Sequence, residues 1–527
     1  MSLSRSSGIL LHPTSLPCTP GIGTIGRQAF RFVDWLKSAR QTLWQILPLG
    51  PTGYGDSPYA SFSTFAGNPL IIDLDILVEQ GFLTQEDITP PEWISHSGHI
   101  DFGSVVYWKI PLLKKAAANF LNKAQKSKSL SKRFEAFKEK QSYWLEDYST
   151  FMSIKEFYDA KAQKENRFGA MWSNYWPKEL ATCSKKAVSK WQQEHTAEIE
   201  GHKAIQFFFF EQWTALKKYA NQNGISIIGD IPIFVAPDSA DVWANQKLFQ
   251  LDKSGKATAV AGVPPDYFCA TGQLWGNPLY KWNEMKKTDY SWWIQRIKAM
   301  LSLVDYVRID HFRGFEAYWS VPAGEETAVN GKWVKGPDHD LFNSIKTQLG
   351  NIPIIAEDLG VITDKVGALR DDFELPGMKV LQFAFDLNEK ERGGLVNAFL
   401  PHMYKQNCVV YTGTHDNDTL QTWLDELSPE MKDLVKSYTG VEDERKLCAE
   451  LIRLAIASTA NFAVIPLQDL YNVGKEGRMN APATTGGQNW QWRMSEEHFS
   501  AEKADWLKNL SCLYGRNLKK PSLRETK

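Results

Sequence analysis

The chain has 527 residues, 43% of them hydrophobic, which is long enough to bury a large core. Its formal net charge of −1 points to neither nucleic acid nor an anionic membrane as a partner, and no run of about 18 apolar residues exists to span a bilayer. Six cysteines, Cys18, Cys183, Cys269, Cys408, Cys448 and Cys512, are scattered without CxxC spacing, which argues against a zinc site or a dense disulfide frame and fits a reducing, cytoplasmic setting.

The opening stretch MSLSRSSGILLHP carries an apolar run of only four residues before His12 and Pro13, so neither a signal nor a transit peptide is expected. Residues 7–17 start as a buried strand and end in a polar turn. Residues 27–40 read as an amphipathic helix with Phe30, Val33, Trp35 and Leu36 on its apolar face. Residues 42–50 (TLWQILPLG) read as a second strand, and 51–63 (PTGYGDSPYASFS) as a Gly/Pro-rich loop carrying Tyr54 and Tyr59. NPLIIDLD, residues 68–75, reads as a third strand. From about residue 81 to 202 the pattern turns Lys-rich and helical, which predicts a mainly helical insertion with solvated charged faces. A strong helix is predicted over 204–223, with Gly224 as its stop, and a strand over 225–229 that delivers Asp230.

Residues 238–278 read as mostly irregular, and long loops of this kind commonly serve as lids; 238–300 is expected to be a lid and insertion. Its segment GVPPDYFCATGQLWGNP sets Asp266, Tyr267, Phe268 and Trp275 close together. A helix over 292–303 follows. Asp340 is predicted to N-cap a helix over 341–349 that Gly350 ends. A strand over 352–356 delivers Glu357, and 379–386 reads as a further strand with Phe383 near its end. Residues 408–412 are expected as the last of eight strands, before THDN. NFAVIPLQDLYNVG reads as one more βα-type connection, and GGQNWQWR, residues 486–493, as an aromatic loop.

The stretch YVRIDHFRG, residues 306–314, organises the rest. Side chains two apart on a strand share a face, so Arg308 and Asp310 point the same way. A cation beside a carboxylate lowers its pKa. Both a structural ion pair and a held, ionised nucleophile fit that pattern. Three more apolar runs end in acids: ISIIGD in Asp230, IPIIAEDLG in Glu357, and VVYTGTHDND in His415 and Asp416. Four such endings alternating with helical patterns imply an α/β fold, a (β/α)8 TIM barrel with large, mainly helical insertions. Its carboxylates then gather at the C-terminal ends of parallel strands, where barrel enzymes keep their chemistry. The whole chain is expected to be one catalytic domain.

RID at residues 308–310, the Glu of AEDLG and the HD of THDN resemble short motifs of the α-amylase clan. VRIDHFRG, AEDLG, THDN, SPYAS and VPPDYF followed by WGNP are similar to the amylomaltase branch, the 4-α-glucanotransferases (disproportionating enzymes) of glycoside hydrolase family 77. The matches run from His12 to about Trp492, and their joint order is highly specific. Hydrolytic amylases usually place a His five residues after the acid that matches Asp230. Val235 stands there, as in the amylomaltase branch, which favours a transferase.

The resemblance implies a retaining double displacement on α-1,4-glucans and malto-oligosaccharides. Such chemistry needs two carboxyls in different protonation states, about 5–5.5 Å apart. It implies Asp310 as nucleophile and Glu357 as general acid, then base, with a raised pKa. Asp416 would hold two hydroxyls of the distorted sugar. Sugar-binding roles are implied for Tyr59, Asp230, Asp266, Trp275, Arg308, His311, Asp358, Phe383, His415 and Asn489. No cofactor, metal or obligate protein partner is expected: no second His stands at metal-ligand spacing from His415. Most of the 20 Trp must pack the core, while some can stack on sugars. A hydrolase of the same clan and a non-catalytic glucan-binding barrel are the alternatives; the latter predicts a lost acid, and none of the three is missing.

Overall fold

The computed structural model describes residues 4–17, 20–53, 55–94, 98–265, 269–386 and 397–517. In chain order its strands are β1 (Ser6–Leu10), β2 (Leu43–Gln45), β3 (Ser226–Pro232), β4 (Ala259–Val263), β5 (Gln273–Pro278), β6 (Tyr306–Asp310), β7 (Ala317–Pro322), β8 (Lys332–Lys335), β9 (Ile354–Ala356), β10 (Gly377–Val380), β11 (Cys408–Tyr411) and β12 (Phe462–Pro466). Eight of them form one parallel sheet in the order β10-β11-β12-β1-β2-β3-β6-β9. The amide of Ala356 donates to the carbonyl of Pro376 at 2.9 Å, joining the two ends and closing the barrel. Strands covered on both faces read as unbroken apolar runs, and CVVY of β11 and FAVIP of β12 are buried throughout.

Two strand expectations are corrected. Residues 68–75 are not a strand. The Asn68 side chain accepts from Leu70 N at 2.9 Å and starts a 3-10 turn at Pro69, and the Asp73 side chain caps the helix Leu74–Glu79. The apolar residues there are buried as expected, but capping residues, not burial, decide the backbone. The third barrel strand is therefore β3. The count then runs one further: Cys408–Tyr411 is the seventh strand, and the NFAVIP segment is the eighth, with Ser6 paired to Phe462.

Smaller differences follow the same logic. The strand expected over 379–386 stops at Val380, and Phe383 lies on the 3-10 turn Leu381–Phe385. The helix His339–Leu349 is entered through Asp338, with Asp340 in its first turn. Gly350 ends it at φ +73, a conformation that suits glycine. Residues 238–278 are less irregular than predicted. β4 and β5 form a hairpin inside a four-stranded antiparallel sheet, β5-β4-β7-β8.

Between β2 and β3 the chain runs through helices Phe102–Lys126, Lys128–Lys140, Leu145–Lys164, Lys185–Glu194 and Thr196–Gln222, with two short turns of helix between them. Thr196–Gln222 leads directly into β3. At the N-terminal ends of the strands the C-terminal segment closes the barrel. Arg516 is buried and donates to the carbonyls of Ser6, Ile456 and Asn461 at 2.8, 2.6 and 3.1 Å. No helix among the described residues is long and apolar enough to cross a membrane.

Candidate active site

Strand register gathers the charges. Parallel pairing sets Asp230 opposite Arg308 and Pro232 opposite Asp310. On the other edge of β6, Ile309 pairs with Ala356, and the Glu357 amide donates to the Ile309 carbonyl at 3.0 Å. Glu357 thus leaves the end of β9 beside Asp310 at the end of β6. The chain turns at once after Asp310. His311 sits at φ +54, and its amide donates to Glu357 Oε2 at 2.7 Å. The Leu359 amide donates to Oε1 at 2.8 Å.

Arg308 is buried and forks between two acids, donating to Asp230 Oδ2 at 2.6 Å and Asp310 Oδ1 at 2.9 Å. Burial disfavours its charge, but Asp230 and Asp310 outweigh that and hold the guanidinium firmly protonated. The Tyr59 hydroxyl donates to the same Asp230 oxygen at 2.7 Å, and burial, reinforced by the Asp230 charge, keeps the phenol neutral.

The two central acids differ in protonation. Asp310 is pushed up to about 6, chiefly by burial, against the pull of Arg308. This corrects the expectation that Arg308 would bring Asp310 below its ordinary range: the cation is shared with Asp230, whose negative charge, with that of Asp416, adds to the burial. Glu357 rises further, to about 8, through burial and then the charge of Asp310; Arg308 and the two amides oppose this only in part. Burial and mutual repulsion thus favour a single shared negative charge on the pair, and the pull of Arg308 on Asp310 with the stronger rise of Glu357 places the proton on Glu357.

Asp416 lies on the loop after β11, half-exposed, with its Oδ2 3.4 Å from His415 Nε2. The His415 ring stacks on Tyr59 with centroids 5.1 Å apart and planes 14° apart, and Trp490 leans on both rings. Trp275 on β5 is partly exposed and meets the His311 ring edge-on at 4.8 Å. The His311 imidazole is held neutral, its pKa down at about 3, by burial and by Arg313.

The remaining predicted residues divide. Phe383 is half-buried against Phe399. Asp358 is committed inside the protein, accepting from the Met378 amide at 2.7 Å and from the Arg370 guanidinium. Asn489 accepts from the Ala481 amide at 3.0 Å and donates to Thr484 Oγ1 at 2.9 Å, both within its own loop. Neither shares a hydrogen bond with the three acids. Asp266, with Tyr54, Tyr267 and Phe268, lies outside the described residues. No group of three or more His, Cys, Asp or Glu among the described residues could hold a metal ion.

Sequence reasoning did not single out four residues at the site. Asn480 donates to Asp416 Oδ1 at 2.7 Å, and Arg478 to Asp418 Oδ2 at 2.7 Å. Trp490 completes the aromatic stack. His12 is buried and neutral, its pKa at about 3, from burial and then the nearby His415. Trp490 was within reach, since its loop reads as aromatic; RMN at 478–480 carries no pattern of its own.

A family model described as 4-alpha-glucanotransferase matches residues 11–499. The chain belongs to this family. Relatives named 4-alpha-glucanotransferase from Synechocystis sp. and Thermus thermophilus are 48% and 47% identical to this family member; the alignments cover 98% and 97% of this chain and 98% and 99% of theirs. The chloroplastic/amyloplastic 4-alpha-glucanotransferase of Solanum tuberosum is 42% identical, over 97% of this chain and 86% of its own. Among solved structures, the amylomaltase of Streptococcus agalactiae in complex with acarbose matches this glucanotransferase-family chain with a TM-score of 0.91 and 38% identity, over 97% of this chain and 99% of that one. The amylomaltase of Corynebacterium glutamicum, at 18% identity and a TM-score of 0.71, shares the fold.

Proposed function

We propose that this protein is a 4-α-glucanotransferase acting by retaining double displacement, with Asp310 as nucleophile and Glu357 as acid and base. The observation that carries the reading is the pair of buried acids, Asp310 and Glu357, set side by side at the ends of β6 and β9 by the strand hydrogen bonds, with burial raising both and the Asp310 charge adding to the rise of Glu357. Glu357 gives its proton to the glycosidic oxygen as the Asp310 carboxylate attacks the anomeric carbon. The bond to the leaving chain breaks, that chain departs with a new 4-hydroxyl, and a glycosyl ester remains on Asp310. Glu357, now a carboxylate, takes the proton from the 4-hydroxyl of an incoming glucan. That oxygen attacks the anomeric carbon and Asp310 leaves. Two inversions retain configuration, and atoms and charge balance without a cofactor.

On this reading Asp416 and His415 hold hydroxyls of the reacting sugar, Tyr59 lies beneath it, and the β4–β5 hairpin with Trp275 covers the acceptor side. Excluding water and aligning an acceptor would favour transfer over hydrolysis. The acarbose complex of the S. agalactiae relative supports an oligosaccharide ligand. A cytoplasmic location is part of the proposal, supported by the free thiols of Cys183, Cys408, Cys448 and Cys512. Incubation with maltotriose tests the activity. A ladder of longer oligosaccharides plus glucose, with total reducing ends conserved, is the expected result; a net gain of reducing ends without longer products would refute transfer.

A further inference from the structure

An acid that stabilises a distorted sugar must present a fixed edge to it, and Asp416 has little scaffold of its own. It stands five residues beyond the end of β11, and its side chain is 42% exposed. Its carboxylate is nevertheless gripped. Asn480 Nδ2 donates to Oδ1 at 2.7 Å, while His415 Nε2 stands 3.4 Å from Oδ2. Asn480 is in turn held by Arg478, which sits two residues before it. The Arg478 Nε donates to the Asn480 carbonyl at 3.0 Å, Nη1 to Asp418 Oδ2 at 2.7 Å, and Nη2 to the Asp416 carbonyl at 3.3 Å. One guanidinium therefore ties together the segment that follows β12 and the loop that follows β11.

We propose that Asn480 is a positioning residue for the reaction, whose amide pins one oxygen of Asp416 and so fixes the plane in which that carboxylate meets the sugar. The charges are distributed to suit this. Arg478 pairs with the Asp418 side chain and touches Asp416 only at its main chain, so the cation holds the loop without sitting on the Asp416 carboxylate. A neutral amide supplies geometry and leaves the negative charge of Asp416 available to a positive transition state. A cationic partner in its place would damp that charge. The inference rests on the reading of Asp416 as the acid that holds the reacting sugar.

The charged or titratable groups that face Asp416 are Asp310 and Tyr59 from the barrel side, His415 beside it, and Arg478 with Asp418 behind it. The test uses the full-length protein, maltotriose disproportionation and three variants. Asn480→Ala is expected to lower kcat about 10- to 100-fold, the scale of a mispositioned reacting group, while changing KM less than about threefold and leaving the melting temperature unchanged. Asn480→Asp is nearly isosteric and carries the test even where the alanine variant folds poorly. It sets two carboxylates in contact, which share a proton in acid and repel when both ionise. Its activity relative to wild type should fall about tenfold or more between pH 5 and pH 8. A ratio that stays constant across that range, or a kcat for Asn480→Ala within about twofold of wild type, overturns the proposal. Asp416→Asn is the control. Wild-type turnover in it would sink the reading of Asp416 itself, whereas an inactive Asp416→Asn beside indifferent Asn480 variants would sink only the role of Asn480.

Discussion

Removing the charge of the proposed acid should make the protein more stable as the pH rises. Glu357 has an ordinary pKa of 4.5 and stands at about 8 in the fold. A folded carboxyl with a raised pKa binds a proton that the unfolded chain has already released, so its contribution to stability is fully present below pH 4.5 and is lost as pH climbs to about 8. The window is about 3.5 pH units wide, and at about 1.4 kcal/mol per unit the wild type loses up to about 5 kcal/mol across it. Glu357→Gln cannot titrate and escapes this loss. Its intercept is set by another effect: both Glu357 oxygens accept amides, from Leu359 and His311, and a glutamine can accept with only one. One of these part-buried amides loses its acceptor, at about 1 kcal/mol. Glu357→Gln should therefore be less stable than wild type near pH 4.5 and more stable at pH 8 and above. Urea titrations of both proteins from pH 4.5 to 9 measure the difference. A difference independent of pH would refute the burial of a protonated Glu357, whatever its absolute value.

Other consequences concern catalysis and the closure of the barrel. The pH profile of kcat/KM on maltotriose should be bell-shaped, with limbs near the values of about 6 for Asp310 and about 8 for Glu357; below the first the nucleophile is protonated and above the second the acid is spent. In Glu357→Gln, a donor with a good leaving group should still glycosylate Asp310, because its departure needs no proton; peptide mapping that finds the label elsewhere would exchange the roles. Trp275→Ala should raise the ratio of hydrolysis to transfer, read from glucose and new reducing ends across acceptor concentrations; an unchanged ratio removes Trp275 from the acceptor side. Arg516→Ala should cost about 1–3 kcal/mol by removing one buried guanidinium from the carbonyls of Ser6, Ile456 and Asn461, although Asn461 keeps the Ser6 amide and Ile456 keeps Arg5, with turnover at low temperature preserved; a melting temperature equal to wild type contradicts that role.

The barrel was legible because its strands are apolar runs buried on both faces and four of the eight lead into acids. YVRID, FAVIP and CVVY differ from the helical stretches by lacking polar residues at helical spacing. That same signal misled at residues 68–75, where an equally apolar run is buried as capped helical turns. Asn68, Pro69 and Asp73 were the discriminating residues, and each is a cap or helix-start type. The displaced count then left FAVIP outside the expected eight, although only its pairing with β1 completes the sheet.

At the site, which acids matter could be read from strand endings, but not their protonation. The sign for Asp310 depends on how many acids share Arg308 and how deeply all of them are buried. Both are set by the register that places Asp230 opposite Arg308, a pairing between residues 78 apart in the chain. Local spacing could show only the Arg308–Asp310 half of the fork. Asn480 lies 64 residues beyond Asp416, on a segment without periodicity, and reaches it because β11 and β12 are neighbours. The division of labour follows from this geometry. Motif residues at strand ends carry the charges, and polar residues from later loops, reached through strand order, decide where those charges point.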